Sequence, residues 1–383
     1  MKGKFFKFFV GLTFYSFAFE LLRIYFGDLS LPPTVLIIIA TSLVSLKIFF
    51  RFDKRICDFI LLNSFFLSIV LFSGMLNGEA LTLLFLVKYL IGLVLSILVY
   101  KLATANLQEL ESTYVTVLFF SSISVLIHCA ISFLVLKSSY LSGSLFIVTE
   151  VGKNQLAAYM AIISVLNFGL IIYCRNNYHR SILFFAFFIH VLALLYTDSR
   201  SGFISFIISS FILFSISELK LKRKIQIFAL GGGVSTFTLV ILFYHLDSTM
   251  QNMLIGNVET IILMKDQGDS TSISVRGNLI TIGLNLFVES PVWGNGTVSY
   301  FDKVGVASHN TYIQILSELG VIGGFSYSFI AFYILQSTYR SNKIFFGVYL
   351  CLLLSMIFQN ILDSMFAFLI MGLALVSNNK AKK

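Results

Sequence analysis

Runs of roughly twenty apolar residues follow one another along almost the whole chain, and a bilayer hydrocarbon core of about 30 Å needs a helix of about that length. No single interior could hold so many such runs. Of the 383 residues 57% are hydrophobic, 42 are Phe and 12% are charged, against about 25% charged in a soluble globular chain. Lipid must therefore act as the solvent. The runs are continuous rather than alternating, which excludes the pattern of an outer-membrane barrel. Three prolines in all favour long, uninterrupted helices.

The apolar pattern predicts an all-α, polytopic membrane protein of about 12 transmembrane helices with one larger extracytoplasmic loop. The expected spans are 5–26, 34–50, 58–77, 80–100, 114–136, 155–174, 181–197, 201–217, 225–245, 309–337, 344–360 and 363–377. The chain thus divides into 1–245 with nine helices, the loop 246–308, and 309–383 with three helices and a tail. The loop contains two amphipathic stretches, near 250–264 and 275–289. The start, Lys2-Gly3-Lys4 before the first apolar run, resembles a signal peptide. That run is too long and lacks a small-residue cleavage site, so it is read as an uncleaved helix.

Orientation follows from basic residues, which mark cytoplasmic loops. One set of loops holds Lys2, Lys4, Lys7, Lys47, Arg51, Lys54, Arg55, Lys101, Arg175, Arg180, Lys220, Lys222, Arg223, Lys224, Arg340, Lys343, Lys380, Lys382 and Lys383, which is 19. The opposite set holds Lys137, Lys153, Arg200, Lys265, Arg276 and Lys303, which is 6. Both termini are therefore expected inside, with Arg200 and the loop 246–308 outside. The net charge of +9 comes from these scattered loop groups, not from a nucleic-acid-binding face. Four separated cysteines without a CxxC indicate neither a disulfide framework nor a metal knot.

A few polar residues stand out against this background. Arg200 sits in a very short connection between two spans. Arg276 begins an amphipathic stretch with Leu279, Ile282, Leu286 and Phe287. His309 opens the tenth span, and Asn310, Gln314, Ser317 and Glu318 fall on one side of that helix by its 3.6-residue period. Lipid cannot satisfy such a stripe, so it must face protein or water. Lys88 lies at a costly depth in its span and either pairs within the bundle or lines the same cavity. Glu20 and Arg23 pair with each other on the first span. His128 and His190, both mid-span, are read as hydrogen-bonded core histidines, and His245 as an accessory. Trp293, the one tryptophan, is placed at the lipid interface.

Three elements then occur in order. Thr197-Asp198-Ser199-Arg200-Ser201-Gly202 is the first. Arg276-Gly277, followed by Pro291-Val292-Trp293-Gly294-Asn295-Gly296, is the second. Ser308-His309-Asn310-Thr311-Tyr312, continuing to Glu318-Leu319-Gly320-Val321-Ile322-Gly323, is the third. With Lys153-Asn154-Gln155-Leu156-Ala157 as a weaker fourth, the set resembles the O-antigen polymerase and O-antigen ligase family of bacterial membrane glycosyltransferases. The resemblance covers roughly residues 150–325.

It implies a GT-C-like, metal-independent enzyme without a cofactor, using undecaprenyl-pyrophosphate-linked glycan at the outer face of the bacterial plasma membrane. Its site residues would be Arg200, Arg276 and His309; beside them Asn310 and Tyr312, and Lys88 by its depth in the membrane rather than by the resemblance, are expected to bind substrate. A chain-length regulator and a flippase would be protein partners. The loop is short and weakly basic, so the reading leans to a polymerase, with a ligase acting on lipid A core as the alternative. A flippase or transporter would instead need ionisable groups near the midplane and usually a repeat.

The chemistry suits the residues. A lipid pyrophosphate leaves well if its growing charge is matched, and arginine binds phosphate oxygens in pairs while always charged. Each charged hydrogen bond is worth about 1.5–3 kcal/mol. A histidine can take the proton of the attacking hydroxyl, and nearby arginines would keep it neutral by like-charge repulsion. No carboxylate pair for a double displacement is evident, so a single inverting displacement is expected.

Overall fold

The computed structural model describes residues 24–26, 29–31, 53–79, 82–105, 107, 110–130, 153–174, 176–197, 199–226, 270–306, 308–362 and 364–376. Apart from turns and short connections these are helical, with one antiparallel hairpin, β1 (Ile24–Phe26) with β2 (Leu29–Leu31), in which Tyr25 pairs with Ser30. The end of the expected first span is thus strand rather than helix. The β-branched and aromatic Ile-Tyr-Phe run before Gly27 has the composition of a hairpin arm. The remainder of that span, with Glu20 and Arg23, lies outside the described residues. So do the spans expected at 34–50 and 225–245, the stretch 250–264, and His245.

Six helices are long and apolar enough to cross a membrane: α1 (Lys54–Asn77), α2 (Thr82–Ala105), α3 (Leu110–Ala130), α4 (Lys153–Tyr173), α5 (Asn177–Tyr196) and, after three further helices, α9 (Thr311–Ser341). These three are the shorter α6 (Arg200–Ile216), α7 (Ser270–Glu289), which is as long as α5 but less apolar, and the short α8 (Ser299–Val304). The chain continues with α10 (Lys343–Met356) and α11 (Met365–Ala374). At 1.5 Å per residue the ten-residue α11 reaches only about 15 Å, half a hydrocarbon core. The twelve-span count is therefore not reached among the described helices.

The described elements fall into two compact units that do not follow chain order. The first holds β1, β2 and α3–α6. Its centre is α4, nearly all of it buried, packed against α5 and α6, with α5 also on α3. His190 lies in this core as the sequence predicts. Its ring is 3.1 Å from Ser121 Oγ, 3.1 Å from Asn167 Nδ2 and 2.6 Å from the Ala186 carbonyl. The side chain of His128 lies outside the described residues.

The second unit holds α1, α2 and α7–α11. Asp53 caps α1 by accepting the Ile56 N–H at 3.1 Å. Gly78 ends that helix at φ 67°, a conformation that favours glycine. The short α11 is buried from Phe366 to Ala374. A helix apolar all round belongs inside a protein, and α11 packs there on α2. Gly92 lies under the Phe368 ring, Gly372 under the Ser96 carbonyl, and Ser96 Oγ donates to Phe368 O at 2.6 Å.

Candidate active site

The long helix α9 is broken at Gly320, whose φ of 64° and ψ of −167° are open to glycine alone. Breaking a helix leaves carbonyls without their partners. The segment 291–296 supplies new ones. Asn295 N donates to Ser317 O at 3.1 Å and Gly296 N to Glu318 O at 2.9 Å. In return Val321 N donates to Pro291 O at 2.8 Å and Ile322 N to Val292 O at 3.4 Å. Asn295 Nδ2 adds bonds to Leu286 O and Ser317 O, at 2.6 and 3.0 Å. From α1, Ser73 Oγ donates to Glu318 O at 3.1 Å. The two glycine-rich motifs are thus one device, a loop laced into a helix break. Trp293, more than a third exposed, stands edge-on to Phe72 with ring centroids 4.8 Å apart.

Directly before α9, Asn310 turns its side chain onto the first turn, accepting from Tyr312 N at 3.0 Å and Ile313 N at 3.1 Å. This cap closes the helix and throws His309 outward. His309 has φ 53°; among the described residues only it and Val298 (φ 79°) adopt positive φ without being glycine. Such strain persists where surrounding contacts hold it, and it gathers at functional sites. The contacts here are specific. Ser308 Oγ lies 2.8 Å from Asn310 O and 3.2 Å from Gln314 Oε1. Thr311 Oγ1 donates to Gln359 O at 2.7 Å, and the Gln359 side chain hydrogen-bonds the His309 ring. Tyr312 OH donates to Leu353 O at 2.9 Å.

His309 is solvent-accessible, yet it titrates below the usual histidine range. Partial loss of hydration is the main cause, the positive charge of Arg276 the second, and the Gln359 bond opposes both. The base and one of the two arginines singled out in the sequence are therefore electrostatically coupled within one unit.

A cavity of about 320 Å³ lies along α9, and His309, Asn310 and Tyr312 are not among its lining residues. Gln314 and Glu318 from α9, Lys88 and Leu84 from α2, and Thr297 and Val298 line it. Of the predicted polar stripe of α9, Gln314 and Glu318 face this cavity while Asn310 and Ser317 do not line it, and Lys88 lies on its wall. Glu318 is buried, bonded by Gln314 Nε2 at 3.2 Å and by the backbone N–H groups of Val298 and Tyr300.

One acidic group here escaped the sequence reading. Glu79, in the turn after α1, presses its carboxyl against Gly296 where a Cβ would otherwise stand. Its pKa is raised to about 7, first by burial, then by nearby Asp302, with the Thr297 and Thr82 hydroxyls opposing. Those hydroxyls lie 2.7 Å apart. Nothing in the local sequence sets Glu79 apart from an ordinary loop carboxylate.

The other two motif pieces meet in the first unit. Ser199 Oγ donates to Asn154 Oδ1 at 2.9 Å and lies 3.1 Å from Ser201 Oγ. A Cβ on Gly202 would fall 2.7 Å from Ala157 Cβ, so the glycine lets α6 close onto α4. This contact sets Arg200 at the first position of α6. A further grouping has no sequence motif behind it. Glu111, Cys174 and His179 place one potential ligand atom each within 4.8 Å of one another.

Residues 183–328 match the family model described as O-antigen ligase, which is consistent with the resemblance carried by the motifs. The matched stretch includes Arg200, Arg276 and His309. No curated protein matches the chain.

Proposed function

With the O-antigen ligase match over 183–328 as premise, we propose that this chain is a multi-pass glycosyltransferase of the bacterial plasma membrane. In this reading it joins undecaprenyl-pyrophosphate-linked oligosaccharide repeat units into O-antigen or capsular polysaccharide at the outer face, with both termini cytoplasmic. The observation that carries the reading is His309. It is strained and accessible, it is held by Gln359, and its pKa is lowered first by partial loss of hydration and then by Arg276. A neutral imidazole is what a general base near pH 7 must be.

The acceptor hydroxyl loses its proton to His309 as its oxygen attacks the anomeric carbon. The bond from that carbon to the pyrophosphate oxygen breaks, and the lipid pyrophosphate leaves with the electron pair. Arg276 receives part of that charge, and Arg200 is assigned the same task by its motif and residue type. Their guanidinium groups supply the charge that a metal ion supplies elsewhere, so this step is assigned no metal. One displacement inverts the carbon. Lys88, on the cavity wall, is the candidate contact for an anionic part of the substrate. Asn310 and Tyr312 are fastened to backbone groups and position His309, with their outer edges left for the sugar. A flippase delivering the repeat units and a chain-length regulator are the protein partners that this reading entails.

The second reading is ligation of finished glycan to lipid A core, favoured by the wording of the matched family. The surface-glycan pattern of a strain lacking the protein decides between them. Loss of long chains with single repeat units still attached supports polymerisation. Loss of every repeat from the core supports ligation, and an unchanged pattern overturns both.

A further inference from the structure

We propose that Glu111, Cys174 and His179 form a binding site for a divalent ion of the zinc type at one end of the first unit. Glu111 lies in the first turn of α3, Cys174 directly follows α4, and His179 lies in the first turn of α5. Three helix ends therefore converge, each bringing a different ligand type.

The spacing fits one ion. Cys174 Sγ is 3.2 Å from Glu111 Oε1, and His179 Nδ1 is 3.6 Å from the same oxygen. A tetrahedral zinc with N and O at about 2.0–2.1 Å and S at about 2.3 Å separates N from O by about 3.3–3.4 Å and sulfur from either by about 3.5–3.6 Å, so small shifts of these side chains would seat it. The 3.6 Å contact is too long for a hydrogen bond. His179 Nδ1 is buried and makes no hydrogen bond, its recorded contact being the Glu111 carboxylate at 3.6 Å, so this nitrogen is aimed into the cluster without the close partner that burial requires. An ion between the three atoms is that partner.

The surroundings fix the turn that carries the cysteine. Arg180 Nη2 donates to the Cys174 carbonyl and Nη1 to Asn177 Oδ1 at 3.2 Å, which pins the turn. Binding exchanges the thiol proton for the ion, the proton passes to water, and no oxidation occurs. Thiolate, imidazole and carboxylate together select zinc over magnesium or calcium. Glu111 is half exposed, so the fourth position is open to water, and the ion exchanges rather than being locked in. The charge bias of the loops assigns this end to the cytoplasm, where a thiol stays reduced.

The test uses the full chain, purified in detergent and freed of metal. One equivalent of Co2+ should give a thiolate-to-cobalt charge-transfer band, and Zn2+ should displace it. Elemental analysis after gel filtration should find one zinc per chain. Cys174→Ser should abolish the band. His179→Ala, at a partly exposed position, should keep the fold and weaken binding by at least roughly a hundredfold, since groups that merely support ligands are worth about 10–100-fold. A band that persists in Cys174→Ser, its absence in the wild type, or undiminished affinity in His179→Ala would overturn the site. The last outcome would leave only an ion pair between Glu111 and His179.

Discussion

Gly294 and Gly320 face each other across the break in α9, so closely that a Cβ on Gly320 would fall 2.7 Å from the Gly294 amide nitrogen. A Cβ on Gly294 would in turn meet the Glu318 carbonyl. Both have positive φ, 74° and 64°. Alanine at either position meets backbone, which cannot swing aside as a side chain can, and strain in sparsely populated conformations adds about 1–3 kcal/mol. Gly294→Ala and Gly320→Ala should each lower the yield of folded protein severalfold on gel filtration in detergent. Gly277→Ala, in helix α7 with nothing near its Cβ, should be neutral or gain up to about 1 kcal/mol. Equal yields for all three variants would show that the loop is not laced into the break.

Glu79 gives a stability prediction with a definite sign. Its carboxyl binds a proton more tightly in the folded protein, at about 7, than at its ordinary 4.5. The folded state is thus penalised as pH rises from about 4.5 to about 7, and the penalty is level above that. Glu79→Gln removes the penalty. The variant's thermal midpoint should exceed the wild type's by more at pH 8 than at pH 5. A constant difference between the two pH values would contradict the buried placement against Gly296.

How much of this was legible in the sequence depends on the range of the interaction. Long apolar helices and the facing of Gln314 and Glu318 follow from a 3.6-residue period, a local property. The break at Gly320 does not, because Glu318-Leu319-Gly320 continues a helical pattern until the chain at 291–296 replaces the lost hydrogen bonds. Glu79 was invisible for the same reason, since its environment comes from Gly296, Thr297 and Asp302, more than 200 positions away. Glu111 and Cys174 are 63 residues apart. The first strand was missed because three residues of helix-like hydrophobicity carry too little periodicity to separate the two forms.

The orientation rests on 19 basic loop residues against 6. A cysteine placed at Lys303, in a background without native cysteines, should react with a membrane-impermeant maleimide on intact cells. One at Lys222 should react only after the membrane is opened. The reverse pattern would put His309 on the wrong side for lipid-linked substrates delivered outside.

The two arginines should differ from lysine in kind. Arg200→Ala and Arg276→Ala should each lower polymer formation by about ten- to a hundredfold, the worth of one charged hydrogen bond of about 1.5–3 kcal/mol. Lysine should rescue in part, because its point charge cannot make the paired contact with phosphate. The protein level in the membrane should stay unchanged. Wild-type chain lengths in Arg276→Ala would reduce that arginine to a surface charge.

His309 should be needed for turnover and not for holding the donor, because the proposed reaction assigns the pyrophosphate to the arginines. His309→Ala should lower the rate by about 10²–10⁴-fold, the usual contribution of a general base, while retaining affinity for the lipid-linked repeat unit. The wild-type rate should fall on the acid side with a midpoint below 6.5, since the ring's pKa is lowered from that value. Part of the lowering comes from Arg276. Arg276→Gln should therefore move the acid limb to higher pH as well as reducing the rate. A purified enzyme assayed with lipid-linked repeat units from pH 5 to pH 8 makes the comparison. A limb that stays in place in Arg276→Gln, or full activity in His309→Ala, would assign the proton transfer to another group, and Glu79, with its pKa of about 7, would be the first to test.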